Sequence, residues 1–243
     1  MDEKLNGIVL GGVNFGENDK ILKIFTLEKG AVSAKIKGVK KSGAKLKFAS
    51  EPFCFAEFIF SKKGDMRTVT GASLIDSFYP LREDIVRFFA AGTVVEFVKR
   101  FAKENLVSSQ MFLLTVDALK KIAYGEDSPR SVLAEFLLSA LKIVGYGLTL
   151  DGCTKCGKMP TAKIYFDGFS GEFFCEQCKE PTAREINLST LLYLQKLDTG
   201  EKLCDFEAVR VLRLLDFYLI MKTDEKINSL KELLQLPVDE PKD

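Results

Sequence analysis

Two Cys-X-X-Cys pairs are the residues of this 243-residue sequence best suited to chemistry. They are separated by 18 residues and consist of Cys153, Cys156, Cys175 and Cys178. A Cys-X-X-Cys turn places two sulfur atoms on one side of a tight knuckle, and two facing knuckles supply the four thiolates of a structural zinc site, about 2.3 Å from the ion. The sequence over 163–174 predicts the hairpin that would bring the pairs together. We therefore expect one structural Zn²⁺ ion.

Other uses of the four cysteines stay open at this point. A thioredoxin-like redox site needs one pair at the start of a helix, whereas the two pairs here are placed symmetrically. An iron–sulfur cluster also takes four cysteines, and catalytic zinc usually keeps an open position that four thiolates would close. Lys155 and Lys158 lie beside the first pair, where they would offset part of the thiolate charge. The spacing favours structural zinc.

The sequence contains no histidine. This excludes Ser-His-Asp and Cys-His catalysis, His-based metalloenzymes and histidine pH switches. The other two cysteines, Cys54 and Cys204, have apolar neighbours and are predicted to be small core residues. A reducing cytosol would keep all six cysteines as thiols.

An enzyme of this composition would depend on carboxylates or lysines. The tightest acidic clusters are Glu17 with Asp19 and Glu83 with Asp84. Because Asp19 adjoins Lys20, and Glu83 adjoins Arg82 at a helix start, we interpret these acids as capping and pairing groups. We therefore expect no enzymatic activity, with a metal-dependent nuclease that uses the carboxylates as the rival class.

Positive charge is concentrated in residues 29–50, which contain seven lysines and no acid. Residues 32–37 alternate between apolar and polar side chains, so a strand there turns its lysines to solvent. The basic loop over 38–47 continues this surface, which is the electrostatic signature of a nucleic-acid backbone site, with a merely solvated face as the alternative. The candidate phosphate contacts are Lys35, Lys37, Lys40, Lys41, Lys45 and Lys47. Aromatic rings often stack on bases in such sites, but most of the nearby ones are predicted to be core: Phe48, Phe53, Phe55, Phe58 and Phe60.

The first 78 residues read as a small β domain. Strands rich in Val, Ile, Phe and Thr are predicted over 7–10, 21–26, 31–37, 52–61 and 66–77. Glycine-containing hairpin turns are predicted at 28–30 and 62–65. Five short strands at this spacing fit an OB-fold, and an SH3-like barrel stays open.

Beyond Pro80 the apolar residues recur with a helical period. Helices are predicted over 82–103, 111–122, 188–197, 206–221 and 227–236, and a further one between the Ser128-Pro129 start and Gly145. Asp205 is a candidate cap for the helix that follows it. Each helix has a wide apolar stripe, so we expect one bundle with the cysteine module inserted into it.

We expect a cytoplasmic protein. The longest uncharged runs, over 5–16 and 105–116, have 12 residues, short of the roughly 18 that a membrane span needs. The first residues lead into no apolar segment of a secretory signal.

Five stretches in register resemble the RecO family of bacterial recombination mediators, and the resemblance covers nearly the whole chain. They are 7–10 (GIVL), 15–20 (FGENDK), 25–30 (FTLEKG), 37–41 (KGVKK) and 78–84 (FYPLRED). The four cysteines also fall where the zinc-bearing members have theirs. In one respect the chain departs from the family pattern: many relatives carry arginine in the basic loop, where this chain has only lysine. Lysine lacks the bidentate phosphate clamp of arginine, so looser and more salt-sensitive DNA contacts are expected.

The resemblance implies a function without bond chemistry in the bacterial cytoplasm, in association with the nucleoid. It implies binding of single- and double-stranded DNA, annealing of complementary strands, and action with RecR to load RecA onto strands coated by single-strand-binding protein. It also implies that the acidic tail of that protein docks on the helical domain. A zinc-ribbon RNA-binding or ribosome-associated module is a further alternative.

The expected fold is a multidomain α+β chain. An OB-fold DNA-binding domain spans 1–79, a helical domain spans 80–150 and 183–243, and the zinc module spans 151–182.

Overall fold

A computed structural model describes residues 2–63 and 66–238. Its N-terminal part is a closed five-stranded barrel with the strand order β1-β2-β3-β5-β4, in which β1 pairs with β4 and β3 runs parallel to β5. This OB-like order confirms the predicted fold over the SH3-like alternative. The strands are β1 (Glu3–Phe15), β2 (Asp19–Thr26), β3 (Gly30–Ile36), β4 (Phe55–Lys63) and β5 (Met66–Asp76).

Alternation of side chains along the strands builds the barrel core. In β3, Val32, Ala34 and Ile36 are buried while Ser33 is exposed, because successive residues point to opposite faces of a sheet. The predicted turn between β2 and β3 is present, and Gly30 there has a φ of +69°. A Cβ at this position would overlap the carbonyl of Leu106, so both backbone conformation and space require glycine. Residues 64–65 of the other predicted turn lie outside the described residues.

All six predicted helices are present, with shifted ends. The first begins three residues later than predicted, because a 3-10 turn over Tyr79–Arg82 precedes it. Ser128 caps the third as predicted, its Oγ accepting from the backbone N–H groups of Arg130 and Ser131. The helices are α1 (Ile85–Phe101), α2 (Ser109–Tyr124), α3 (Pro129–Ile143), α4 (Leu188–Asp198), α5 (Asp205–Thr223) and α6 (Asn228–Gln235).

Two predictions at the start of α5 are wrong. The capping residue is Cys204 rather than Asp205, and the Glu207 carboxylate accepts the Cys204 backbone N–H at 3.1 Å. Cys204 is exposed, because this cap position lies on the surface. Asp205 is the first helical residue and pairs with Arg130. Cys54, by contrast, is a core residue as predicted, and burial raises the pKa of its thiol to about 11.

The chain divides into two compact units, whereas the sequence predicted that all helices would pack into one bundle. One unit contains the barrel region through Asp84 together with Val94–Tyr124; the other contains Ile85–Thr93 and the chain from Gly125 onward. Helix α2 therefore belongs with the barrel, where the Phe112 ring lies 5.6 Å from that of Phe25. The domain boundaries predicted at 79, 150 and 182 stay a prediction.

A second, three-stranded sheet carries the cysteine module. Its strands β6 (Ile164–Asp167) and β7 (Glu172–Cys175) form the predicted hairpin, and β8 (Arg184–Ile186) pairs with the other edge of β6. The Phe166 ring lies 4.9 Å from that of Phe173 and 5.8 Å from that of Tyr218 on α5. These aromatic contacts fix the hairpin to the helical unit. No helix of the described part of the chain has the length and hydropathy needed to cross a membrane.

Candidate metal centre and nucleic-acid interface

The structure brings the four predicted ligands together. The Sγ atoms of Cys153, Cys156, Cys175 and Cys178 all lie within 4.8 Å of one another. The Sγ atoms of Cys156 and Cys175 are 3.9 Å apart, close to the roughly 3.8 Å between sulfur atoms around a tetrahedral zinc ion with 2.3 Å bonds. The donor set is therefore compatible with a bound metal ion. Among the described residues, these four form the one such group of His, Cys, Asp or Glu side chains.

Backbone hydrogen bonds shape each knuckle. The N–H of Cys153 donates to the Lys158 carbonyl at 3.0 Å, and the N–H of Gly157 donates to the Cys153 carbonyl at 2.8 Å. Gly157 has a φ of +70°, a conformation that glycine adopts without steric cost. The second knuckle follows the end of β7 and is closed by a 3.1 Å bond from the Cys178 N–H to the Cys175 carbonyl. These backbone hydrogen bonds place the two sulfur atoms of each pair in the knuckle turns.

The pKa values of two thiols in this cluster, those of Cys153 and Cys178, shift in opposite directions. Burial opposes ionisation of Cys153, but hydrogen bonds from the backbone of Cys175, Cys156 and Lys155 outweigh it and lower the pKa of Cys153 to about 6. The hydrogen bond that Cys178 makes with Cys175, together with burial, raises the pKa of Cys178 to about 12. The Cys153 thiolate thus forms readily, while Cys178 resists ionisation. Metal binding requires deprotonated sulfurs. The positive charge of a bound divalent cation would offset the repulsion between these thiolates.

The two lysines beside the first knuckle differ in their surroundings. Lys155 forms an ion pair with Glu180 at 2.5 Å. This hydrogen-bonded contact raises the pKa of Lys155, and nearby Cys178 and Cys153 add to the effect. Lys158 is exposed and contributes its carbonyl to the knuckle. The predicted neutralisation of thiolate charge therefore falls mainly to Lys155, which shares its charge with Glu180.

The six predicted DNA-contacting lysines, called the lysine ridge below, lie on β3 and the segment after it: Lys35, Lys37, Lys40, Lys41, Lys45 and Lys47. All except Lys35 are exposed. Lys35 is half-buried and pairs with Asp19 at 2.9 Å. Five lysines of the ridge thus point their charge to solvent, while the charge of Lys35 is offset by a carboxylate.

The loop that carries the ridge is a series of hydrogen-bonded turns. The Lys41 N–H donates to Gly38, the Ala44 N–H to Lys41, and the Lys47 N–H to Ala44, at 3.1–3.2 Å. Val39 is buried in the barrel core. The basic side chains are therefore carried by backbone fixed to the barrel, which limits the entropy lost when a ligand binds.

Asp19 and Arg82 have partners other than the sequence neighbours predicted for them. Asp19 pairs with Lys35 rather than with its neighbour Lys20, because these side chains meet across β2 and β3, and it also accepts the Gly38 N–H at 2.8 Å. These contacts lower the pKa of Asp19. Arg82 donates to the carbonyls of Ser77 and Pro52 rather than pairing with its neighbour. No third acidic or cysteine side chain of the described residues joins either cluster at metal-binding distance.

The predicted status of the nearby phenylalanines is confirmed, and one exposed ring was missed. Phe53, Phe58 and Phe60 are buried, and Phe48 and Phe55 are half-buried. Phe15, at the end of β1, is 48% exposed. Its ring centroid lies 4.4 Å from Lys35 Nζ. The sequence signal was its alternation with Val13, which puts both side chains on one face of β1.

The helical unit contains a groove, called the arginine groove below. Two adjoining cavities of about 540 and 350 Å³ share Arg210, Arg213, Asn187 and Thr190. The guanidinium of Arg210 lies 4.6 Å from the centroid of the Phe206 ring. Apolar walls and two shared arginines form a place where an anionic, partly apolar ligand would fit. The apolar lining includes Phe206, Val209, Leu214, Phe217, Leu234 and Leu236.

Comparison with known proteins gives one consistent result. Family models described as "Recombination protein O N terminal" and "Recombination protein O C terminal" match residues 1–78 and 82–231. The chain is 31% identical to the DNA repair protein RecO of Acetivibrio thermocellus over 186 residues, which is 76% of this chain and 74% of the relative. It is 29% identical to that of an Exiguobacterium species over 244 residues, 97% of each chain. It is 33% identical to that of Streptomyces coelicolor over 204 residues, 81% of this chain and 82% of the relative.

Proposed function

The chain belongs to the RecO family of DNA repair proteins, and from this premise we propose that it is a non-enzymatic recombination mediator. It binds single- and double-stranded DNA and anneals complementary strands. With RecR it helps to load RecA onto strands coated by single-strand-binding protein. It acts in the bacterial cytoplasm, in association with the nucleoid.

The lysine ridge is the observation that carries this proposal. Five exposed lysines lie in the segment that follows β3, on a barrel whose class binds oligonucleotides through the face of strands 2 and 3 and the neighbouring loops. Annealing requires that two polyanionic strands approach each other, and lysines that neutralise their phosphates lower the repulsion between them. No covalent bond forms or breaks. Such a mechanism does not require a catalytic histidine, which the sequence lacks.

We also propose that the four-cysteine site holds one structural Zn²⁺. Four thiolates match the soft-ligand preference of zinc and leave no open position for a substrate. The ion would tie the loop at Cys153 to the end of β7. Its role is to hold the module folded, separate from the chemistry of DNA.

The arginine groove is the proposed site for the acidic, phenylalanine-ended tail of single-strand-binding protein. Its apolar walls suit a terminal aromatic ring, and Arg210 and Arg213 suit the carboxylates beside it. This assignment joins the mediator to the strands that are coated by that protein.

Replacing Arg210 and Arg213 together with alanine is expected to weaken binding of such a peptide about tenfold or more, because two charge-assisted contacts are lost. Fluorescence anisotropy of a labelled peptide at low salt measures the effect. Lys231→Ala, at an exposed position of α6 that does not line the groove, is the control and should bind as the wild type does. Absence of peptide binding by the wild type would contradict this partner.

Competition between nucleic acids tests the proposal against its rivals. A labelled single DNA strand bound to the protein should be displaced by unlabelled DNA at least as well as by RNA of equal length. The DNA should also stay intact in Mg²⁺. Preferential displacement by RNA would support an RNA-binding module, and cleavage would support a carboxylate-dependent nuclease.

A further inference from the structure

Phe15 is a large apolar side chain that is exposed beside the lysine ridge. It ends β1 at the β1–β2 turn, lies opposite Asp19 in the strand register, and is 48% exposed. No packing need of the barrel core explains an aromatic ring here, since the ring is not part of the buried core cluster. Its position is the β1–β2 end of an OB-like barrel, a part of this fold that commonly contacts oligonucleotides.

The ring is held by a defined set of contacts. Lys35 Nζ lies 4.4 Å from its centroid, within the range of a cation–π interaction. Asp19 fixes that ammonium group by an ion pair at 2.9 Å, and the Gly38 N–H fixes Asp19 in turn at 2.8 Å. Lys35 therefore contacts the Phe15 ring. Because the Asp19 carboxylate already offsets its charge, Lys35 contributes little to the attraction of phosphates. The ring is preorganised, with an ammonium group over one face.

The ring borders a groove that leads to the lysine ridge. The groove has a volume of about 530 Å³. Its charged lining residues are Glu17, Asp19, Lys35, Lys37 and Lys41, and Phe15, Gly16, Asn18 and Gly38 complete its walls. This size is within the range of small-ligand sites. Its charge is uneven: Lys35 and Asp19 offset each other, which leaves exposed Lys37 and Lys41 after β3 and exposed Glu17 in the turn that follows Phe15. A phosphate is attracted to the lysine side and repelled by Glu17, so the uncharged part of a nucleotide faces Phe15.

We propose that Phe15 stacks on a base of bound single-stranded DNA while Lys37 and Lys41 contact the adjacent phosphates, and that this stacking favours single strands over duplex. The inference rests on the proposed DNA-binding function. A base of a single strand has a free face for the ring, whereas a base in a duplex is already paired and stacked and must be extruded at a cost. A nucleotide is the occupant that this pairing favours, because it offers a base to the ring and a phosphate to the adjacent lysines.

The test uses full-length protein with a labelled 20-nucleotide thymidylate strand, the same strand carrying abasic sites, and a duplex of equal length. Phe15→Leu keeps an apolar side chain but removes the aromatic face. We expect it to weaken binding of the intact strand roughly 5- to 30-fold and to leave duplex binding and the salt slope unchanged. The preference of the wild type for the intact over the abasic strand should disappear in the variant.

Val13→Ala is the matched control, since Val13 lies two residues earlier on the same face and is 65% exposed. It should bind all three probes as the wild type does. Thermal melting checks that both variants fold.

The outcomes separate the stacking role from DNA binding itself. The stacking role is wrong if Phe15→Leu binds the intact and abasic strands with wild-type affinity. It is also wrong if the variant loses affinity for the single strand and the duplex by the same factor. In both cases the proposed DNA binding stands. If the wild type binds none of the probes, the proposed function fails and the stacking role with it.

Discussion

Replacing Cys153 or Cys175 with serine is expected to abolish metal binding and to lower the melting temperature by roughly 6–12 °C. Purified wild type should contain about one zinc per chain. Because the bound ion contributes to the folding free energy, its loss destabilises the helical unit. A loss of about 3 kcal/mol shifts the midpoint of a chain of this size by that amount. Elemental analysis and thermal melting measure the two effects.

Cys204→Ser is the matched control for this experiment. Cys204 is exposed at the N-cap of α5, far in sequence from the four ligands, and serine is a favoured residue at that position. This variant should keep its zinc and melt no lower than the wild type. Iron in the purified protein, or intact thiols without metal, would contradict the structural-zinc proposal.

Replacing Lys40 and Lys41 together with alanine is expected to make DNA binding less salt-dependent. If four to six phosphates are contacted, log affinity for a single strand falls with log salt at a slope of roughly −3 to −4, and removal of two contacts reduces that slope by about 1 to 1.5. All sequences should be weakened alike, because phosphate contacts carry no base information. Titration at several salt concentrations gives the slope.

Lys99→Ala with Lys103→Ala removes the same charge from exposed positions at and after the end of α1, in the same compact unit. This control should keep the wild-type slope. The Lys40 and Lys41 variant should retain zinc and the wild-type melting temperature, since both side chains are exposed. Wild-type binding by that variant would mean that the ridge is only solvated surface, and would direct attention to Lys155 and Lys158.

The barrel was predictable from sequence because its strands alternate, but their ends were not. Strand β1 extends over Glu3–Phe15, whereas the sequence favoured only residues 7–10. Residues such as Asn6, Gly11 and Asn14 are weak strand formers, and pairing with both β2 and β4 overrides that preference. Strand β8 has three residues, too few for a periodic signal, and exists because β6 offers it an edge.

The four-cysteine cluster was predictable because its residues are encoded as two local turns. The lysine ridge was predictable as a cluster of charge, but the role of Lys35 was not. Its ion pair with Asp19 and its contact with Phe15 join residues on β1, β2 and β3, and such cross-strand pairs depend on register. The packing of Phe112 on the barrel was also missed, because the apolar stripe of α2 does not indicate which surface it packs against.

Annealing of two complementary labelled strands coated with single-strand-binding protein tests the central claim most directly. We expect the wild type to accelerate duplex formation, the Lys40 and Lys41 variant to do so more slowly, and both strands to be recovered at full length after incubation with Mg²⁺. An annealing rate equal to that without protein, or recovery of shortened strands, would contradict a non-enzymatic mediator that acts through the lysine ridge.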